Sequence, residues 1–293
     1  MKNEPLVTIL VPAYNHEDFI YEVINSIISQ PYKNIEVIIT NDGSTDNTHD
    51  KIMELYEKCE KRFVSFKYIN KENEGLLKSL KDMESLINGK YLTIFYSDDI
   101  YTENRIQKQV DALENNKEYA LCYGKMIGID KDSNIIKRYK SKHCKSGYVF
   151  DKLLERNFIP APTVMIRTEV FNSVGGFDLT FIYDDYPLWL KIAHDNKILF
   201  LDEDLIYYRT HDNNISSGLI QTITTVEKIL LTWNDEPVFN SVMKKFYLKS
   251  FYELVRSHQN YKKEAKNYMM KALSSWYHPK FIKAVLRYYF KKY

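Results

Sequence analysis

Four short apolar runs, separated by segments with helical periodicity, constrain the fold of this 293-residue chain more than any other feature. Leu6-Val-Thr-Ile-Leu-Val11, Ile35-Glu-Val-Ile-Ile-Thr40, Val64 to Ile69 and Tyr91 to Tyr96 all have strand length. The first is continuously apolar, as a strand covered on both faces requires. Between these runs the apolar residues recur at helical spacing: Phe19, Ile20, Val23, Ile24, Ile27 and Ile28; then Ile52, Met53, Leu55 and Tyr56; then Leu76, Leu77, Leu80, Met83 and Leu86. Four strands alternating with three helices form a βαβ series, which predicts a parallel sheet with right-handed crossovers. In open α/β sheets ligands bind at the carboxyl ends of the strands.

Those ends are polar here. The Tyr91 run leads into Asp98 and Asp99, and acids at the tip of an apolar strand are seldom buried unless paired or metal-bound. Either acid can instead cap a following helix. The first run is broken by Pro12-Ala-Tyr-Asn15, where Tyr14 offers a flat face for a base. Past the second, Asp42 can accept a hydrogen bond from a base N–H or a ribose hydroxyl. Past the third, Asn73 supplies an amide and Gly75 a place where backbone can approach closely. Any one of these is an ordinary turn residue by itself. All of them at one sheet edge suit the gripping of a nucleotide.

Val11-Pro-Ala-Tyr-Asn15, Asn41-Asp-Gly-Ser-Thr-Asp-Asn-Thr48, Asn73-Glu-Gly75 and Ser97-Asp-Asp99 resemble, in order and spacing, the successive motifs of family 2 glycosyltransferases. These are inverting enzymes with a GT-A fold, and the chain resembles those that build bacterial O-antigen and capsule. The resemblance runs from residue 5 to residue 216. It implies an α/β GT-A fold, Rossmann-like and mainly parallel, and a nucleotide-sugar donor, usually a uridine diphosphate (UDP) sugar. It implies further that Tyr14 and Asp42 hold uracil, that Pro12, Ala13, Asn15, Asn73, Gly75 and Ser97 line the donor site, and that Asp98 and Asp99 stand at a metal. One position departs from the pattern: most members read Asp-x-Asp-Asp, whereas this chain has Tyr96-Ser-Asp-Asp. Electrostatics argues for a cation independently. Two like unit charges ~4 Å apart at an effective dielectric of ~20 repel by about 4 kcal/mol, so carboxylates beside a diphosphate need a counter-charge. Nine glycines and no Walker lysine leave no phosphate cradle to offset this, and oxygen ligands select Mg²⁺ or Mn²⁺.

Further along, a helix carrying Ile106, Val110 and Leu113 is expected before a strand at Tyr119–Tyr123. A hairpin of Met126–Asp130 with Ile135–Tyr139 should follow, then an irregular basic loop over 140–147, a strand at Val164–Ile166 and a helix at Thr168–Val174. Asp184 and Asp185 precede a helix with Leu188, Trp189, Ile192 and Ala193 on one side. Acids there stabilise a helix N-terminus. The resemblance instead implies the Glu-Asp motif, whose Asp is the catalytic base: Asp185, with Asp184 standing where Glu is usual and as the alternative base. Inversion by single displacement needs such a base on the acceptor side. Arg209 and His211 lie two apart, on one side of an extended chain. They resemble the family's Arg-x-His motif on a loop over the donor, which implies diphosphate contacts for both and makes His211 a possible metal ligand.

The expected organisation is a glycosyltransferase domain over 1–217, with a nucleotide-binding half (1–101) and an acceptor-binding half (102–217), then a helical extension over 218–293. Helical patterns in the extension run Ile223–Trp233, Val238–Arg256, Tyr261–Trp276 and Phe281–Tyr293. Cys59, Cys122 and Cys144 are odd in number and lack metal-ligand spacing, which suits a reducing cytoplasm. No apolar run reaches the ~18 residues of a membrane span, and the N-terminus reads as having no signal peptide.

Residues 241–293 carry 13 Lys and Arg against Glu253 and Glu264, a local charge of +11 in a chain of +2 overall, and the basic residues are interleaved with aromatics. The last helix places Phe281, Val285, Leu286 and Tyr289 on one side, with Lys280, Lys283, Arg287 and Lys291 largely elsewhere. Two readings compete: a solvated basic face over a helical core, or peripheral attachment to the anionic cytoplasmic membrane face. The second suits a saccharide acceptor linked to polyprenyl diphosphate. The acidic remainder of the chain argues against a nucleic-acid partner. Two other functions fit the sequence less well. A nucleotidyltransferase should show a Gly-rich loop with a basic residue after the first strand, which Val11-Pro-Ala-Tyr-Asn15 is not. A non-catalytic nucleotide-diphosphate binder finds support only in Tyr96.

Overall fold

A computed structural model describes residues 4–210 and 218–290. The chain forms two compact units, Met1–Phe150 with Phe158–Asp212, and Asp151–Asn157 with Asn213–Tyr293.

The first unit opens with β1 (Val7–Ala13), α1 (Ile20–Ile28), β2 (Ile35–Asp42), α2 (Thr48–Met53), α3 (Tyr56–Arg62), β3 (Ser65–Lys71), α4 (Leu76–Met83) and β4 (Tyr91–Ile94). β1 pairs in parallel with β2 and β4, and β2 with β3, so the βαβ series forms the parallel sheet its pattern predicts. Every residue of β1 and β2 is buried, which is why both read as nearly unbroken apolar runs. Both strands run two residues past their apolar runs: the β1–β2 ladder continues through Pro12 opposite Thr40 and Ala13 opposite Asn41, and β2 pairs with β3 as far as Asp42 opposite Lys71. β4 stops early, at Ile94, and the chain from Tyr96 turns across the strand ends.

The sheet continues with β5 (Ile100–Tyr101), α5 (Arg105–Asn115), β6 (Tyr119–Ile129), β7 (Ile135–Arg138), α6 (Phe150–Glu155), β8 (Met165–Arg167), α7 (Thr168–Ser173), α8 (Asp185–Asp195) and β9 (Lys197–Arg209). Its order is β3-β2-β1-β4-β8-β6-β9-β5, with β7 on β6. β8 is antiparallel to β4 and to β6, whereas β9 is parallel to β6 and antiparallel to β5. The segments Tyr119–Tyr123 and Met126–Asp130, expected as two strands, are one strand running through Gly124. There the register with β9 shifts, and a Cβ at Gly124 would lie 2.6 Å from Leu205 Cδ1.

The second unit contains α6 beyond Phe150, together with α9 (Leu219–Leu231), α10 (Phe239–Arg256), α11 (Lys262–Lys271) and α12 (Pro279–Phe290). Its core joins Phe251, Leu254 and Val255 to Ala265, Tyr268, Phe281, Ala284 and Tyr288. Burying a side chain such as Phe251 is worth roughly 1.5–3 kcal/mol. α12 faces this core differently from expectation. Phe281, Ala284 and Tyr288 point inward, while Leu286 and Tyr289 are exposed. The small Ala284 is fully buried with the rings of Phe281 and Tyr288. No helix among the described residues is long and apolar enough to cross a membrane.

Candidate active site

The strand ends of the first unit are cross-linked by their own polar residues. Asn15 takes a positive φ of 51°, which aims its side chain at the loop after β2, and its Oδ1 accepts the Thr45 N–H at 2.8 Å. In return the Asn15 N–H bonds Ser44 Oγ at 2.9 Å, and the His16 N–H bonds Thr48 Oγ1 at 2.8 Å. Between these anchors Tyr14 is 46% exposed, a ring standing free of the core at the sheet edge. Pro12 and Ala13 are buried within β1.

Asp42, at the end of β2, is buried and organises the loop after β3. Its Oδ1 accepts the Glu74 N–H at 3.0 Å and its Oδ2 the Gly75 N–H at 2.8 Å. Gly75 sits at φ 92° with open space where a Cβ would point, so the backbone there lies open to a ligand. Asn73 is exposed and packs so closely on Gly43 that a Cβ at 43 would lie 2.5 Å from the Asn73 nitrogen. Lys71 approaches the same cluster, with Nζ 3.8 Å from Asp42 and 2.6 Å from Glu74. A lysine at the end of an amphipathic strand gives no signal of this in the sequence.

The turn after β4 separates the two acids that the sequence left equivalent. Asp99 is 1% exposed, and its Oδ1 accepts the backbone N–H of Arg209 at 2.9 Å. Burial, then the neighbouring Asp98 charge, holds its carboxyl well above the usual range, against the opposing pull of the Arg209 N–H and of Arg105. Asp98 is half-buried, and its backbone carbonyl accepts from Arg209 Nε at 2.8 Å. Ser97 is buried, with Oγ 2.6 Å from His16 Nδ1. His16 ties the β1 loop to the β4 turn; the sequence reading missed it, although it directly follows Asn15.

Arg209 has partners other than the diphosphate oxygens expected of it. Its side chain is 1% exposed. Nη1 donates to Asp130 O, Lys131 O and Ser133 Oγ at 3.1, 2.9 and 3.0 Å, and Nη2 pairs with Glu22 Oε2 at 2.7 Å. The guanidinium also lies 4.9 Å from the centre of the Phe19 ring. It braces the β6–β7 turn, α1 and the β4 turn together. His211 lies outside the described residues.

At the start of α8, Asp184 is buried and Asp185 half-buried. Pro187 falls within the first turn, where a missing N–H costs nothing. Asp184 Oδ2 accepts the hydroxyl of Tyr96 at 2.5 Å, so the residue at the departing motif position reaches an acid 88 residues away. Burial raises the Asp184 carboxyl, and the Tyr96 hydrogen bond opposes that. The Tyr96 phenol is in turn held well above its ordinary value, first by burial and then by the charges of Asp184 and Asp185. The contact brings the start of α8 to the end of β4, so Asp98 and Asp185 belong to one locality.

For a divalent cation, this locality offers hard oxygen donors and the half-buried Asp98 in particular. Among the described residues no three His, Cys, Asp or Glu side chains come together as a complete metal cage. That donor set fits Mg²⁺ or Mn²⁺ held by one or two carboxylates plus substrate phosphates and water, and does not fit a self-sufficient structural site.

A family model described as Glycosyl transferase family 2 matches residues 8–175. An uncharacterized glycosyltransferase of Methanocaldococcus jannaschii is 28% identical over 258 residues, 86% of this chain and 88% of that protein. The Escherichia coli UDP-Glc:alpha-D-GlcNAc-diphosphoundecaprenol beta-1,3-glucosyltransferase WfgD is 27% identical over 236 residues, 80% of this chain and 88% of its own length. Among solved structures, the mannosyltransferase PcManGT of Pyrobaculum calidifontis, in complex with GDP-Man and Mn2+, superposes with a TM-score of 0.64 at 15% identity, over 98% of this chain and 85% of that one. At that identity the likeness speaks for the fold alone.

Proposed function

This chain belongs to glycosyl transferase family 2, and from that premise we propose that it moves a sugar with inversion from a UDP-sugar to a saccharide acceptor linked to polyprenyl diphosphate. It is a glycosyltransferase of the GT-A fold with C-terminal helices. The observation that carries the finer reading is the Tyr96–Asp184 hydrogen bond, which draws a half-buried acid at the start of α8 to the strand end bearing Asp98. The likeness to WfgD, whose name gives a UDP-glucose donor and a diphosphoundecaprenol-linked acceptor, supports the substrate classes.

In this reading the base of the donor nucleotide stacks on Tyr14. Asp42, whose oxygens have acceptor capacity beyond the Glu74 and Gly75 N–H groups, takes the N–H edge of uracil. Asn73 and the open backbone at Gly75 flank the ribose. Asp98 would hold a Mn²⁺ or Mg²⁺ ion, which would supply positive charge opposite the departing diphosphate. Asp185 accepts the acceptor hydroxyl's proton as its oxygen attacks the anomeric carbon in line and the bond to the diphosphate breaks, through an oxocarbenium-like state by analogy with glycoside hydrolysis. Asp184, hydrogen-bonded and buried, steadies Asp185.

The second unit supports a peripheral membrane attachment. On α12 the residues Ile282, Leu286, Tyr289 and Phe290 are all at least half exposed, and Lys280, Lys283 and Arg287 are exposed beside them. A basic amphipathic surface of this kind suits an anionic leaflet, where each Lys or Arg is worth about 1 kcal/mol.

The test is release of nucleoside diphosphate from a panel of nucleotide sugars, with and without Mn²⁺ and a lipid-linked saccharide. Acceptor-stimulated release from a UDP-sugar is expected. Adenylyl or other nucleotidyl transfer from a nucleoside triphosphate, with no release from any nucleotide sugar, would defeat the reading.

A further inference from the structure

We propose that Tyr96 is a positioning residue for the base: its hydroxyl, held by Asp184, fixes the first turn of α8 against the end of β4 and thereby sets where Asp185 stands relative to Asp98. The inference rests on the reading of Asp185 as base. The bond spans 88 residues at 2.5 Å, with Asp184 8% exposed. A buried carboxylate needs a donor, and the neutral phenol supplies one where a carboxylate at position 96 would put two acids face to face. The tether is one residue from the base and two residues from Asp98. It also links a helix start to a strand end, a connection that no backbone ladder makes.

The two side chains touch directly, so the gap between β4 and α8 is bridged by this one pair. The pair therefore acts as a single spacer whose removal should displace Asp185 without touching the nucleotide side of the site, where Tyr14, Asp42 and Gly75 lie on other strand ends.

The experiment compares full-length wild type with Tyr96→Phe, Asp184→Ala and the double variant, reading sugar transfer and, separately, UDP binding by calorimetry. Misplacing a catalytic group by an ångström costs on the order of 10²-fold, so kcat should fall between about ten- and a hundredfold while the UDP Kd and the donor KM hold. The double variant should be no slower than the slower single one, as expected of two ends of one contact. Wild-type turnover in Tyr96→Phe overturns the proposal, and so does loss of UDP binding in step with kcat, or losses that multiply in the double variant. Wild-type turnover in Asp184→Ala overturns it even where Tyr96→Phe fails to fold. A wild-type chain inactive on every nucleotide sugar removes the underlying reading and this one together. An active wild type with an equally active Tyr96→Phe removes this one alone.

Discussion

The carboxylate of Asp99 accepts the backbone N–H of Arg209 at 2.9 Å, across 110 residues of chain. The bond continues the antiparallel pairing of β5 with β9, in which Ile100 faces Tyr207. Asp99 is thereby tied to the end of β9 and buried, whereas Asp98 is half-buried. Asp98→Asn should lose metal-stimulated turnover by about 10²-fold or more, with stability within about 0.5 kcal/mol of the parent. Asp99→Ala should cost about 1–3 kcal/mol by stranding a buried N–H. Urea midpoints set beside Mn²⁺ titrations of activity check both, and an exchange of the two phenotypes would reverse the assignment.

Asp185→Asn should reduce transfer by about 10²–10⁴-fold, the usual contribution of a general base, while UDP binding survives. An amide at 185 keeps the shape of the first turn of α8 and cannot take the proton. Near-wild-type turnover would move the base elsewhere, with Asp184 the next residue to test.

Arg209→Ala should act on stability before donor affinity. Its guanidinium is buried and bonded to the β6–β7 turn and to Glu22, so truncation leaves several acceptors unpaired and should cost about 3 kcal/mol. Thermal melting of the purified variant decides the matter. A variant with unchanged melting but weakened UDP-sugar binding would restore the diphosphate role.

Asp178 pairs with Lys191 at 2.8 Å, tying the turn before α8 to the body of that helix. The Lys191 hydrogen bond, with that of Thr180, depresses its carboxyl from 3.8 to about 2. A depressed acid stabilises the fold above its unfolded-state value, and the benefit is lost as pH falls from 3.8 through about 2. The stability gap between wild type and Asp178→Asn should therefore be full at neutral pH and close across that window. Urea titrations at both ends that gave an equal gap would exclude the ionic pair as its source.

Leu286→Glu with Tyr289→Ser should weaken flotation with anionic vesicles at low salt, leaving transfer to a soluble acceptor intact. Both residues lie on the exposed side of α12, so the helical core is spared. Flotation as strong as the parent's would show that the exposed stripe does not meet lipid.

Local pattern alone determined a good deal. β1 and β2 are legible because burial on both faces forces continuous apolar residues, and their polar ends are legible because turns demand Asn, Asp and Gly. Those two signals sufficed for the parallel half of the sheet and for the family to which the chain belongs. The arrangement of the site depended on contacts between distant residues, which periodicity does not encode. Asp98 and Asp99 are adjacent acids in the sequence, and only the β5–β9 pairing buries one of them. Arg209 reads as a phosphate ligand, and nothing local in its sequence signals that the β6–β7 turn and α1 converge on its guanidinium. The sequence misjudges the face of α12 because its apolar residues ring the helix, and only the fold shows Phe281, Ala284 and Tyr288 turned inward. Tyr96 looks like a lost acid in the motif, yet the fold places it against Asp184, where a donor is required. Sequence spacing fixes which residues lie at a strand end; which of them face the ligand depends on what the rest of the chain places against them.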